Sequence, residues 1–207
     1  MKLLGSPGSP YARKARVAMI EKKINCEFVF DRPANPDSQV PKHNPLSKVP
    51  VLVLDDGKSI YDSSVIVEYF DHFGGGSGPK LIPAEFTARI AVRQWEALGD
   101  GIVDAIVTLT HDSRYSEDCD AKADWYQKQL KKINGGLATL ERDIGANEYC
   151  FGNAFGLADI CAGMVLGYLD RAYGGFDWRA KYPGLQRYAD KLFARASFQQ
   201  TQPPTGK

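Results

Sequence analysis

This sequence has no excess of either charge, no close cysteine pair and no long apolar run. Its 26 basic and 25 acidic side chains leave a net charge of +1. A balance that even offers no electrostatic footprint for nucleic acid or for an anionic membrane. The four cysteines, Cys26, Cys119, Cys150 and Cys161, stand apart with no C-x-x-C spacing. That excludes zinc-site spacing, so no metal is expected, and it makes a reduced, cytoplasmic setting the default. Cys26 and Cys161 sit in apolar patterns and read as buried small hydrophobes. No apolar stretch approaches the ~18 residues of a spanning helix. Met1-Lys2-Leu3-Leu4 runs straight into turn residues, so no secretory leader is expected. His43, His72 and His111 lie far apart and share no motif, so no histidine is placed to act as a base.

What is present is an ordinary globular composition, 43% apolar and 25% charged over 207 residues. That length allows one large domain or two small ones. The first half alternates strand and helix signals. Lys2 to Gly5 is a short strand, and Pro10 to Lys23 has apolar residues at helical spacing. Cys26, Phe28 and Phe30 alternate with polar or outward positions, as in a strand. Residues 32–45 are rich in proline and asparagine and read as an irregular excursion. Val49 to Leu54 is an apolar run, Asp55-Asp56-Gly57-Lys58 a hairpin turn, and Ser59-Ile60-Tyr61 the returning strand. A third helix follows, with Val65, Ile66, Tyr69, Phe70 and Phe73 on one stripe.

Gly74 to Pro83 reads as a flexible joint by composition. Beyond it the period changes to three and four. Trp95, Leu98, Ile102, Ile106 and Leu109 mark one helix, and Leu130 to Ile144, Leu157 to Tyr168 and Leu185 to Leu192 mark others. The expected architecture is an α/β unit over residues 1–76 and an all-α bundle over residues 84–207.

Four short features in the first half carry chemistry. Ser9-Pro10 opens the first helix. Serine is a strong N-cap and proline suits the first turn. A helix start also offers unpaired N–H groups and a partial positive charge, which together hold anions, including a thiolate carried by a ligand. Val49-Pro50 stands at the mouth of a strand, where a trans bond is the ordinary form. A cis bond there would turn the Val49 N–H and C=O toward an extended peptide ligand. Asp62-Ser63 opens the third helix; either residue could cap it, and together they suit a carboxylate and an ammonium. Lys48 is surface decoration by itself, and beside the other three it could neutralise a ligand carboxylate. The run Arg13-Lys14-Ala15-Arg16 reads as a solvated helix face, with a possible part in holding an acidic small ligand.

Together these features resemble the soluble glutathione S-transferases, over nearly the whole chain. Asn44-Pro45-Leu46-Ser47-Lys48-Val49-Pro50 resembles that family's Asn-Pro-x-Gly-Lys-Val-Pro segment, and Asp62-Ser63-Ser64-Val65-Ile66 its acidic-Ser-x-x-Ile segment. Phe151 to Asp159 resembles the buried capping motif of the helical domain. Arg195-Ala196-Ser197-Phe198, followed by Thr201, resembles the usual chain end. The nearest branch is the bacterial one with serine in a Ser-Pro-aromatic-x-Arg-Lys context. Three departures stand out: Ser47 where glycine is usual, Asp62 where glutamate is commoner, and Gly156 where a Ser or Thr cap is expected.

The resemblance implies a thioredoxin-like N-terminal domain and a helical C-terminal domain forming the wall of a second-substrate pocket. It makes glutathione the co-substrate, a hydrophobic electrophile the acceptor, and detoxification the role. Ser9 becomes the thiol-activating donor; Lys48, Val49, Pro50 (as a cis proline), Asp62 and Ser63 complete the glutathione site. Tyr11 is the rival donor or a lining residue of the second pocket, with His111 and Tyr115. A homodimer is implied, and neither nucleic acid nor membrane is expected as a partner. Two other readings follow from the same fold: a non-catalytic regulator or ligand-binding interaction module, and a glutathione-dependent reductase or dehalogenase. The intact Ser9, Pro50 and Asp62-Ser63 set speaks against the first. The second prefers a cysteine at the helix start, and Ser6 to Lys14 contains none.

Overall fold

The computed structural model describes residues 1–72, 76–111, 120–172 and 176–204, with the side chains of residues 111 and 120–122 left aside. Two units emerge, one from Met1 to Arg89 joined by the segment from Phe193 onward, the other from Ile90 to Leu192. The C-terminal segment thus packs with the first unit.

The first unit is built on a four-stranded sheet in the order β2-β1-β3-β4. Its elements are β1 (Lys2–Gly5), α1 (Pro10–Glu21), β2 (Glu27–Phe30), α2 (Val40–His43), β3 (Val51–Val53), β4 (Ser59–Ile60) and α3 (Ser63–His72). β1 runs parallel to β2 and antiparallel to β3, and β3 is antiparallel to β4. This is the β-α-β then β-β-α arrangement of a thioredoxin-like domain. Side chains alternate across the pleat. Leu4 and Val51 are cross-strand partners and pack with Val40 of α2 on one face. Leu3 and Leu52, also partners, are buried on the other face, and α3 packs there on β3 with α1 alongside it. Gly5 closes β1 where a Cβ would come 3.1 Å from both Ala12 and Phe28, so glycine lets α1 approach the sheet.

Three expectations change here. The irregular excursion contains a short helix, α2, hidden in the sequence by Pro41, which a first helical turn accepts. Val65 does not join the buried stripe of α3; Ile66, Val67 and Phe70 carry it while Val65 is exposed. Phe73, Gly74 and Gly75 lie outside the described residues. The described part of the joint is pinned rather than flexible. Lys22 Nζ donates to the carbonyls of Gly78 and Pro79 at 3.3 and 2.9 Å and pairs with buried Asp71 at 3.2 Å. Asp71 Oδ1 also accepts from the Leu81 N–H at 2.8 Å. A Cβ on Gly78 would sit 2.0 Å from the Glu21 carbonyl. Glycine serves close approach here, where composition alone suggests mobility.

The second unit holds most of α4 (Phe86–His111), with α5 (Asp120–Ile144), α6 (Leu157–Ala172), α7 (Trp178–Lys181) and nearly all of α8 (Pro183–Phe193). α6 is buried continuously from Leu157 to Leu169, so it is the central helix and carries no polar stripe. Leu137, Leu140, Ile144, Leu185 and Leu192 pack this unit's core at the expected positions. No helix among the described residues is long and apolar enough to cross a membrane. The last helix among the described residues is α9 (Ala196–Gln200), which packs on α1 in the first unit.

Candidate active site

Three chain segments meet at one end of the sheet. In the β1–β3 register Leu4 faces Val51, so the exit of β1 lies beside Pro50. In the β3–β4 register Leu52 faces Ile60, so the exit of β4 runs toward the same end. The loop after β1 leads to Ser9, the loop before β3 carries Lys48 and Val49, and the exit of β4 leads to Asp62 and Ser63. The register therefore gathers the four features that the sequence singles out.

Ser9 is the N-cap of α1, with Pro10 at the first helical position. A turn closed by the Ser9 N–H on the Ser6 carbonyl (3.0 Å) sets it there. Its Oγ accepts from the Ala12 N–H at 3.2 Å. A hydroxyl bound to the helix as an acceptor directs its own proton elsewhere. Ser9 is half-buried, as is Tyr11 two residues on.

The loop before β3 is braced by Asn44, a buried side chain. Its Nδ2 donates to the Lys48 carbonyl at 2.9 Å and its Oδ1 accepts from the Leu46 N–H at 3.0 Å. Lys48 is exposed, and Val49 packs beside the Leu4–Val40–Val51 cluster. The Val49–Pro50 bond is cis, as is Tyr61–Asp62. Ser47 has φ +50°, the left-handed region that glycine enters without strain. The departure from glycine at this position therefore costs backbone energy.

Asp62 caps α3: its Oδ1 accepts from the Ser64 N–H at 3.0 Å. Asp62 is exposed and Ser63 is 2% exposed. Lys14, in the second turn of α1, donates from Nζ to Ser64 Oγ at 3.1 Å. The second turn of α1 and the first turn of α3 are therefore joined.

The basic run of α1 is not a solvated face. Lys14 is 0% and Arg13 6% exposed. Arg13 donates to the Phe198 carbonyl and Thr201 Oγ1, and its guanidinium lies over the rings of Phe193 and Phe198. Arg16 donates to the Gln200 carbonyl and stacks on Phe28. Arg195 and Ser197 both bond to Glu21. The run clamps the C-terminal segment onto α1. Lys14 is the residue of the site that local pattern misses, since its partner Ser64 lies 50 residues away.

Cys26 does not compete for the thiolate role: burial pushes its pKa up to about 11. His43 bonds through Nδ1 to Ser59 Oγ at 2.8 Å, on the sheet. Tyr115, the side chain of His111 and Cys119 lie outside the described residues. Among those described, no group of His, Cys, Asp and Glu is arranged to hold a metal.

Residues 3–77 match the glutathione S-transferase N-terminal domain, and residues 123–191 match the glutathione S-transferase C-terminal domain. The chain belongs to the glutathione S-transferase family. It is 35% identical to the GST-like protein YibF of Escherichia coli K12, over 99% of both chains. Among solved structures it resembles a glutathione S-transferase from Methylobacillus flagellatus with glutathione bound, at TM-score 0.90 and 44% identity, covering 98% of this chain and 99% of that one. A glutathione S-transferase from Methylobacterium radiotolerans in complex with glutathione sulfonate also aligns at TM-score 0.90, with 38% identity over 100% of this chain and 96% of the other.

Proposed function

We propose that this protein is a glutathione transferase that keeps the sulfur of glutathione deprotonated at the start of α1 and delivers it to an electrophilic carbon. The observation that carries the reading is the Ser9 hydroxyl, which accepts from Ala12 N–H and so has its proton to give outward. A free thiol has a pKa near ~8.5 and is only a few per cent ionised at neutral pH. One charge-assisted hydrogen bond at a helix start stabilises the thiolate by roughly 1.5–3 kcal/mol, equal to about one to two pKa units. Ser9 is the donor in this scheme and not a nucleophile; Tyr11 takes no part in proton donation.

The rest of the tripeptide follows from the local chemistry. The Val49 N–H and C=O pair with its extended backbone before Pro50, and Lys48 neutralises a carboxylate. The Ser63 hydroxyl and the α3 N–H groups take the γ-glutamyl carboxylate, with Asp62 on the amine. Glutathione and glutathione sulfonate are the ligands named for the two solved relatives above. The glutathione domain is read as residues 1–76 and the helical domain as residues 84–207, of which the segment from Phe193 onward packs with the first unit; the protein acts on hydrophobic electrophiles in a cytoplasmic, detoxifying role.

A homodimer completes the reading. Val65 and Phe86 leave their rings and methyls in water, Phe86 at 73% exposure, one turn from the Glu68–Arg89 ion pair that joins α3 to α4. Exposed apolar groups so placed suit a two-fold contact. Calorimetric titration with glutathione tests the function: one site per chain is expected, and absence of binding removes the enzymatic reading.

A further inference from the structure

Lys14 stands out among the charged groups that the proposed chemistry does not use. It is fully buried, and a lysine ammonium is almost never found so. Taking a charge out of water is expensive unless the surroundings repay it. Lys14 lies five residues after Ser9, in the helix that Ser9 caps. Its Nζ crosses to Ser64 Oγ, 3.1 Å away on the first turn of α3. The Ser64 N–H in turn donates to Asp62 Oδ1 at 3.0 Å. Ser64 therefore takes part in two bonds, its hydroxyl accepting from the helix of the thiol site and its N–H donating to the cap of the other half-site. Ser63, between Asp62 and Ser64, is 2% exposed and has little room to move independently.

We infer that Lys14 is a positioning residue for glutathione: it sets the distance between the α1 start and the α3 start, so that one tripeptide engages both. This rests on the function proposed above. A peptide that must touch two helix starts binds only when their separation matches its length, and a rigid pair of sites avoids the ordering cost of binding. Ser64 is the receiving end of the link and touches no ligand in this scheme. The effect therefore falls on affinity for the whole tripeptide and not on the sulfur.

Calorimetry with two probes, glutathione and S-methylglutathione, separates these roles. S-methylglutathione has no ionisable thiol, so it does not feel Ser9 as a thiolate donor. Lys14→Met is expected to weaken both probes about tenfold, the loss of one hydrogen bond to a charged group. Ser64→Ala removes one hydroxyl and keeps the fold; it is expected to weaken both probes in the same direction and by less. In the Lys14→Met background Ser64→Ala is expected to add nothing, because the link is already broken. Should Lys14→Met fail to fold, Ser64→Ala alone decides: weaker binding of both probes supports the link, and unchanged binding overturns it. Unchanged binding in both variants, loss for glutathione alone, or additive losses in the double variant each overturn the inference while leaving the transferase reading in place. A wild-type protein that binds neither probe overturns both.

Discussion

The start of α1 and the start of α6 are both helix N-termini, yet they use their polar groups in opposite ways. At α1 the capping Ser9 is half-buried, satisfies Ala12 and keeps a proton to donate. At α6 the cap position is Gly156, with no side chain, and Asp159 three residues on reaches back to its N–H at 2.7 Å. This is one half of a capping box without the other. Asp159 is 1% exposed, and it also accepts from the Cys150 N–H at 2.8 Å and from the Tyr188 hydroxyl. Every donor it meets belongs to the protein. In the function proposed above the first helix start serves a ligand, whereas the second is consumed by folding. The absence of a Ser or Thr cap at Gly156 is offset by this carboxylate.

The comparison breaks most visibly at Asp159. Asp159→Ala strands the buried Cys150 N–H, the half-buried Gly156 N–H and a buried phenol, and is expected to cost about 3–5 kcal/mol in urea unfolding. A loss under ~1 kcal/mol, the size of an ordinary cap, would equate the two helix starts. Burial also lifts the Asp159 carboxyl above its usual range. The folded protein then holds that proton more tightly than the unfolded chain, so this contribution is complete at acid pH and drains away as pH rises through the raised value. Unfolding curves of wild type and Asp159→Asn are expected to differ in pH slope above about pH 4, the ordinary aspartate value, with wild type the one that loses stability.

Ser9→Ala has the second largest effect, and it falls on rate. Transferase activity at neutral pH is expected to drop about eight- to twenty-five-fold, matching the thiolate lost when the pKa rises by about one to two units to ~8.5. The gap should narrow as the buffer is raised past the free thiol's own pKa. Stability should change by only ~1 kcal/mol. Equal losses of rate and stability would make Ser9 a cap like any other.

Two smaller changes sharpen the picture around the site. Ser47→Gly relieves a left-handed residue at φ +50° and is expected to stabilise the first unit by about 0.5–1 kcal/mol, read as a raised Tm. Cys26, with its pKa pushed up to about 11, should react sluggishly with iodoacetamide at pH 8 next to a small free thiol.

Much of this was legible in the sequence because it is local. The Ser9 cap bonds three residues away, and the Asp62 cap two. The strands of the sheet announce themselves by short apolar runs, and the helices of the second unit by their period. Residues acting across the fold gave no such signal. Lys14 meets Ser64 at a separation of 50 residues, and Arg13 meets Phe198 at 185. A basic run on a helix looks the same whether water or a C-terminal segment lies against it. The glycines of the joint look flexible in composition, while Gly78 is pressed onto the Glu21 carbonyl. The proline at position 41 masked α2 because the same residue that breaks a helix interior also opens a helix.

The most direct test of the thiolate site is an ultraviolet titration of glutathione bound to wild type and to Ser9→Ala. The wild-type complex should ionise about one to two units below the free thiol, and the variant close to the free value of ~8.5. Identical titrations in the two proteins would contradict the assignment of Ser9.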